Sequence, residues 1–127
     1  MYKIILSLGS NNYSKLNIDK AKRMLSFTFP EIRFSSSIIS LPDDEVSTMP
    51  FRNMIGVFSD DIPIKDLMRK LKEIEFAIGR QPKDKEIGKV VIDIDLLQYG
   101  DVFIREEDIN KEYIQTLINE INEQEDL

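Results

Sequence analysis

Hydrophobic and polar positions along the chain alternate between two periods, one suited to strands and one to helices. Residues 2–8 form an apolar run that stops at Gly9, the pattern of a strand. Residues 16–27 place Ile18, Ala21 and Leu25 at helical spacing, and residues 31–41, from Glu31 through Ile38 and Ile39 to Leu41, read as extended. A turn-rich polar stretch follows, Pro42-Asp43-Asp44 to Thr48-Met49-Pro50. Residues 52–59 return to strand character. Pro63 then opens a strong helix in which Ile64, Leu67, Leu71, Ile74 and Ile78 make one apolar stripe closed by Gly79. After a basic loop comes the run Val90-Val91-Ile92-Asp93-Ile94-Asp95-Leu96-Leu97, another strand. A last amphipathic helix carries Ile109, Tyr113, Leu117 and Ile121. The order β-α-β-β-α-β predicts a ferredoxin-like α+β sandwich with an added C-terminal helix. Met24, Phe27, Met68 and Phe76 are expected in its core, and no internal repeat breaks the pattern.

The 90–97 strand interrupts its own pattern with two carboxylates. Side chains alternate along a strand that rises roughly 3.3 Å per residue, so Asp93 and Asp95 share a face about 7 Å apart at their Cα atoms. Ile92, Ile94 and Leu96 then face the core. Two neighbouring anions repel and suit a strand poorly, so the pair costs stability unless a cation lies between them, which points to a magnesium site. The alternative is a sheet with one solvated face, on which alternating aspartates are ordinary.

Composition narrows the chemistry. A chain of 127 residues with 42% hydrophobic content suits one core, and 1–127 is expected to be a single domain. It contains no cysteine and no histidine. Thiolate chemistry, sulfur-based zinc sites and the commonest general base are therefore excluded, leaving oxygen ligands and hard cations such as Mg²⁺. The apolar run at the amino terminus is too short for a signal peptide or a membrane span, so a cytoplasmic location is expected. A net charge of −6 disfavours nucleic acid and anionic membranes as partners. Against that acidity, Arg80, Lys83, Lys85 and Lys89 form a local cationic cluster on the loop feeding the aspartate strand. Cations beside a carboxylate metal site match the needs of a polyphosphate. A solvated lysine loop is the plainer reading. Gly9-Ser10-Asn11 is no P-loop, since no Gly-Lys-Ser/Thr follows, and reads as a strand-to-helix turn.

From about Tyr2 to Ile104 the chain resembles the hydroxymethyl-dihydropterin pyrophosphokinases of folate synthesis. The first strand with Gly9-Ser10-Asn11 is similar to the family's opening, and Pro50-Phe51-Arg52-Asn53 to its aromatic-x-Asn pterin motif. Glu75 with Gly79-Arg80 resembles the end of its second helix, and Gly88 through Asp93-Ile94-Asp95 to Tyr99-Gly100 its most characteristic segment. The resemblance implies transfer of pyrophosphate from ATP to the hydroxymethyl group of a reduced pterin. Asp93 and Asp95 would hold two Mg²⁺ ions and, with Arg80, form the catalytic set. Glu75, Arg80, Lys83 and Lys89 would serve the nucleotide. Asn53 would read the pterin edge, Phe51 line its ring, Leu41 and Pro42 complete the slot, and the loop 43–50 act as a lid. The chain also departs from the family. Val90 stands where an arginine is usual and Ile87 where an aromatic is usual. Lys111-Glu112-Tyr113-Ile114 replaces a stretch bearing a Pro-His pair and a later arginine and aromatic. Each lost phosphate contact is worth roughly 1.5–3 kcal/mol, so the departures predict weakened turnover. A noncatalytic relative, kept as a nucleotide-, pterin- or partner-binding module, is the alternative they leave open. A ferredoxin-like RNA-binding domain fits less well, because such domains stack bases on aromatics where this strand offers aspartates.

Overall fold

The computed structural model describes residues 1–42 and 49–125. Their elements run β1 (Tyr2–Ser10), α1 (Ser14–Thr28), β2 (Arg33–Phe34), β3 (Ile38–Ser40), β4 (Phe51–Asp60) and α2 (Ile64–Ile78). A 3-10 helix (Pro82–Ile87) follows, then β5 (Asp93–Tyr99), β6 (Val102–Phe103), α3 (Glu106–Ile109) and α4 (Glu112–Glu125). The six strands among the described residues form one antiparallel sheet in the order β2-β4-β1-β5-β6, with β3 also on β4. This is the expected ferredoxin-like α+β arrangement: β1 and β4 lie at the centre, and the long strands are those with the longest apolar runs. Residues 43–48, the greater part of the expected lid, lie outside the described residues. No helix among the described residues is long and apolar enough to cross a membrane.

The side-chain alternation of the strands builds two cores, one on each face. Ile4, Leu6, Leu8, Met54, Phe58, Ile92, Ile94 and Leu96 pack against Ile18, Ala21 and Leu25 of α1 and Leu67, Leu71 and Ile74 of α2. On the opposite face Ile5, Ile55, Val57 and Leu97 pack against Ile109, Ile114, Leu117 and Ile121. Each buried aliphatic side chain contributes about 1.5–3 kcal/mol, so both faces are strongly committed to helices. Asp93 and Asp95 share a face with Leu97, which α3 and α4 cover, while the two aspartate side chains themselves stay 38% and 23% exposed. The pair sits at the open end of a buried face.

Two expectations need correction. Phe27 and Phe76 are 90% and 75% exposed, and Met68 is also exposed; only Met24 packs on the core. Phe27 follows Leu25 by two residues and Phe76 follows Ile74 by two, about 200° around a helix, so each points away from its stripe. The single terminal helix is in fact two. The chain breaks at Asn110-Lys111, α3 ends at Ile109, and α4 starts afresh at Glu112. The break lets Ile109 and Ile114 both reach the sheet while the segment between them turns over its end.

Candidate active site

Strand register brings the functional residues together. Gly9 on β1 lies opposite Asp93 on β5 and opposite Asn53 on β4, and Ser7 lies opposite Asp95. Ile38 of β3 in turn faces Asn53. The end of β1 therefore lies between the carboxylates on one side and the Phe51–Asn53 segment on the other. The turn after β1 fixes the loop that feeds β5. Asn11 Nδ2 donates to Gly88 O at 2.8 Å, its Oδ1 accepts from Val90 N at 2.7 Å, and its own N–H donates to Val90 O at 3.0 Å. Buried Ser10 donates to Val91 O at 2.7 Å. The strand-to-helix turn read from the sequence is thus a clamp on the entry to the aspartate strand, and Tyr13, at φ 41°, completes it before α1.

Each aspartate has a cation at hand. Arg80 donates to Asp93 Oδ1 at 2.9 Å and to Glu75 Oε2 at 2.8 Å, while Arg105 lies 3.5 Å from Asp95 Oδ1. The repulsion expected from sequence is therefore partly offset in the protein itself. Glu75 is buried and also accepts from Ile94 N at 2.7 Å, so α2 and β5 meet at this carboxylate. Burial pushes the Glu75 carboxyl up, against the Ile94 amide and the Arg80 charge that pull it down. Asp95 is pushed up to about 7, first by burial and then by the Asp93 charge, with Arg105 opposing. A carboxyl so placed is one that an added cation would favour.

Two cavities meet at this pair. A groove of about 1010 Å³ runs along α2 and the 3-10 helix, with Met68, Leu71 and Phe76 on its apolar wall and Arg80, Lys85 and Lys89 on its cationic one. A slot of about 250 Å³ lies on the other side, bounded by Gly9, Ser40, Leu41, Phe51, Asn53 and Tyr113. Asp93, Asp95 and Arg105 border both. In the slot Asn53 is buried, and its Nδ2 donates to Ser40 Oγ at 2.7 Å. Its Oδ1 lies 3.6 Å from where a Cβ on Gly9 would sit, and the Phe51 ring 3.9 Å from the same point. The bare glycine keeps the slot open.

The residues expected from sequence are mostly gathered here. Glu75, Arg80 and Lys89 line the groove with both aspartates, and Leu41, Phe51 and Asn53 line the slot. Lys83 and Pro42 border neither cavity; Lys83 is exposed on the 3-10 helix. Sequence reasoning missed Arg105 and Lys111, which flank Asp108 at 3.1 and 3.3 Å. It also gave Tyr113 no role beyond the helix stripe. Basic residues at the start of the terminal helices of an acidic chain were the available signal.

Among the described residues no three acidic side chains converge as a complete metal cage. The all-oxygen donor set still suits Mg²⁺, which takes one or two carboxylates from protein and the remainder from phosphates and water. Half-buried carboxylates on one strand face, at the junction of two cavities, fit that requirement.

The antiparallel α+β sheet thus carries its paired carboxylates where a large groove with arginine and lysine in its wall meets a smaller slot. The family model for 7,8-dihydro-6-hydroxymethylpterin-pyrophosphokinase matches residues 5–123, and the chain belongs to that family. No curated protein matches it significantly.

Proposed function

We propose that the protein transfers a pyrophosphoryl group from ATP to the hydroxymethyl group of a reduced pterin, with Asp93 and Asp95 as the Mg²⁺ ligands. The supporting observation is that the two cavities share the aspartate pair, so a nucleotide in one and a pterin in the other present their reacting ends at the same place. The groove offers Phe76 and Met68 to a purine and Arg80, Lys85 and Lys89 to its phosphates. The slot offers Phe51 to a flat ring and the Asn53 amide to its hydrogen-bonding edge. Two bound Mg²⁺ ions would neutralise phosphate charge and ease deprotonation of the attacking hydroxyl. The chain's own part is placement: Glu75 fixes Arg80, Arg80 orients Asp93, and α4 keeps bulk water from the face behind Asp95.

Calorimetric titration with a nonhydrolysable ATP analogue tests this reading. Affinity should appear with Mg²⁺ and collapse in EDTA, reduced hydroxymethyl pterin should then bind the loaded protein, and ATP with pterin should yield AMP. Equal affinity in EDTA, or none in either condition, refutes the nucleotide assignment. Binding of both ligands without AMP identifies a binding module instead.

A further inference from the structure

Arg80 and Arg105 both face the aspartates, yet they are held very differently. Arg80 is locked: its guanidinium is gripped by buried Glu75 at 2.8 Å and by Asp93 at 2.9 Å. Arg105 has a fixed backbone, whose N–H donates to Leu97 O at 3.3 Å and whose carbonyl accepts from Ile109 N at 3.0 Å, but a side chain held over longer distances. Its side chain is half exposed and reaches Asp95 at 3.5 Å and Asp108 at 3.1 Å. Asp108 is itself shared with Lys111 at 3.3 Å. Arg105 is also the cation that borders both cavities, where Arg80 borders the groove alone.

The charges decide what this loose arginine does. Fully ionised, Glu75, Asp93 and Asp95 carry three negative charges, opposed by Arg80 and Arg105. A divalent cation seated on the aspartates turns that deficit into an excess of positive charge, and the more weakly held guanidinium is the one that gives way. The nearest new anion in either cavity is then the phosphate chain of a nucleotide, for which a guanidinium fork is well shaped. We propose that Arg105 is the resident counterion of Asp95, which competes with the divalent cation for that carboxylate and passes to the nucleotide's phosphate oxygens once the cation is seated. This rests on the aspartate metal site proposed above, and it makes opposite demands on one side chain. Arg105 opposes the metal when metal is alone and favours the metal–nucleotide pair.

The test is calorimetry or Mn²⁺ electron paramagnetic resonance on wild type, Arg105→Gln, Arg105→Lys and Asp108→Asn, each first checked for a wild-type melting transition. A unit charge a few ångströms away in partly solvated surroundings changes affinity by about tenfold. Arg105→Gln should bind Mn²⁺ alone about tenfold more tightly and bind the nonhydrolysable ATP analogue with Mg²⁺ about tenfold more weakly. Arg105→Lys, which keeps the charge, should stay near wild type for metal alone. Asp108→Asn, which leaves Arg105 to Asp95 alone, should weaken Mn²⁺ binding. A merely structural role for Arg105 would move both affinities of Arg105→Gln in the same direction, and that result overturns the proposal. Unchanged Mn²⁺ affinity in Arg105→Gln overturns it while sparing the metal site. Absence of Mn²⁺ binding in folded wild type overturns both.

Discussion

Replacing Asp95 by asparagine removes one charge and almost no volume, so it isolates the electrostatics of the pair. In metal-free protein the Asp95 carboxyl is pushed up to about 7, with burial the first cause and Asp93 the second. Its ordinary value is 3.8, so ionising it in place costs about 4 kcal/mol at the upper bound. Water reaches 23% of the side chain and screens part of this, leaving a destabilisation of about 2 kcal/mol. The sign follows from proton uptake. A carboxyl raised on folding binds its proton more tightly in the native state, so metal-free stability falls as pH climbs from about 4 to above 7. Asparagine abolishes that slope. In EDTA, Asp95→Asn should therefore melt with wild type near pH 4 and above it at pH 8, by roughly 5–8 °C for a chain of this size. With Mg²⁺ and an ATP analogue at about ten times their dissociation constants, wild type should gain roughly 1.4 kcal/mol and the variant almost nothing. Thermal melts across this pH range, with and without ligands, check both halves. A variant no more stable than wild type at pH 8, or one that responds equally to ligand, would refute the reasoning.

Three further substitutions probe the slot and its support. Asn53→Leu should abolish pterin affinity and leave ATP-analogue binding nearly intact, since each pterin group left unpaired costs about 1–3 kcal/mol; calorimetry with each ligand separately reads this, and unchanged pterin affinity removes Asn53 from the site. Gly9→Ala should leave the melting temperature within a few degrees, because a Cβ there meets only ordinary contacts at 3.6 and 3.9 Å, yet should narrow the slot and weaken pterin binding while the groove still accepts nucleotide. Glu75→Gln keeps an oxygen for the Ile94 amide but takes the counter-charge from Arg80; denaturant unfolding should show a loss of about 1–3 kcal/mol, with weaker nucleotide binding as Arg80 loses its anchor.

Much of the fold was readable because its strands and helices obey simple periods. The stripe Ile64, Leu67, Leu71, Ile74 and Ile78 located α2 nearly to the residue, and the aspartate strand announced itself by breaking its own pattern. Phe27 and Phe76 misled because hydrophobicity by itself does not say which side of a helix a residue takes; their angular offset from the stripe did. What periodicity could not show was the cover on the second face. The four-residue α3 and the break at Asn110-Lys111 leave no repeat to detect, and so Arg105's approach to Asp95 depends on a turn rather than a period. Asn11's grip on Gly88 and Val90 was equally hidden, since nothing local in Gly9-Ser10-Asn11 names a partner 77 to 79 residues away.

That distance bears on how the molecule comes into being. Strand β1 hydrogen-bonds β4 on one edge and β5 on the other. Until β5 has left the ribosome, the unpaired backbone N–H and C=O groups along this edge of β1 are an open template for any passing strand. Closing it requires a long loop to be drawn in, an entropically slow event, and the Asn11 bridge to Gly88 and Val90 forms only when that loop shuts. Weakening Asn11 should thus show itself in the yield of soluble chain and in slowed refolding at least as clearly as in the final melting temperature.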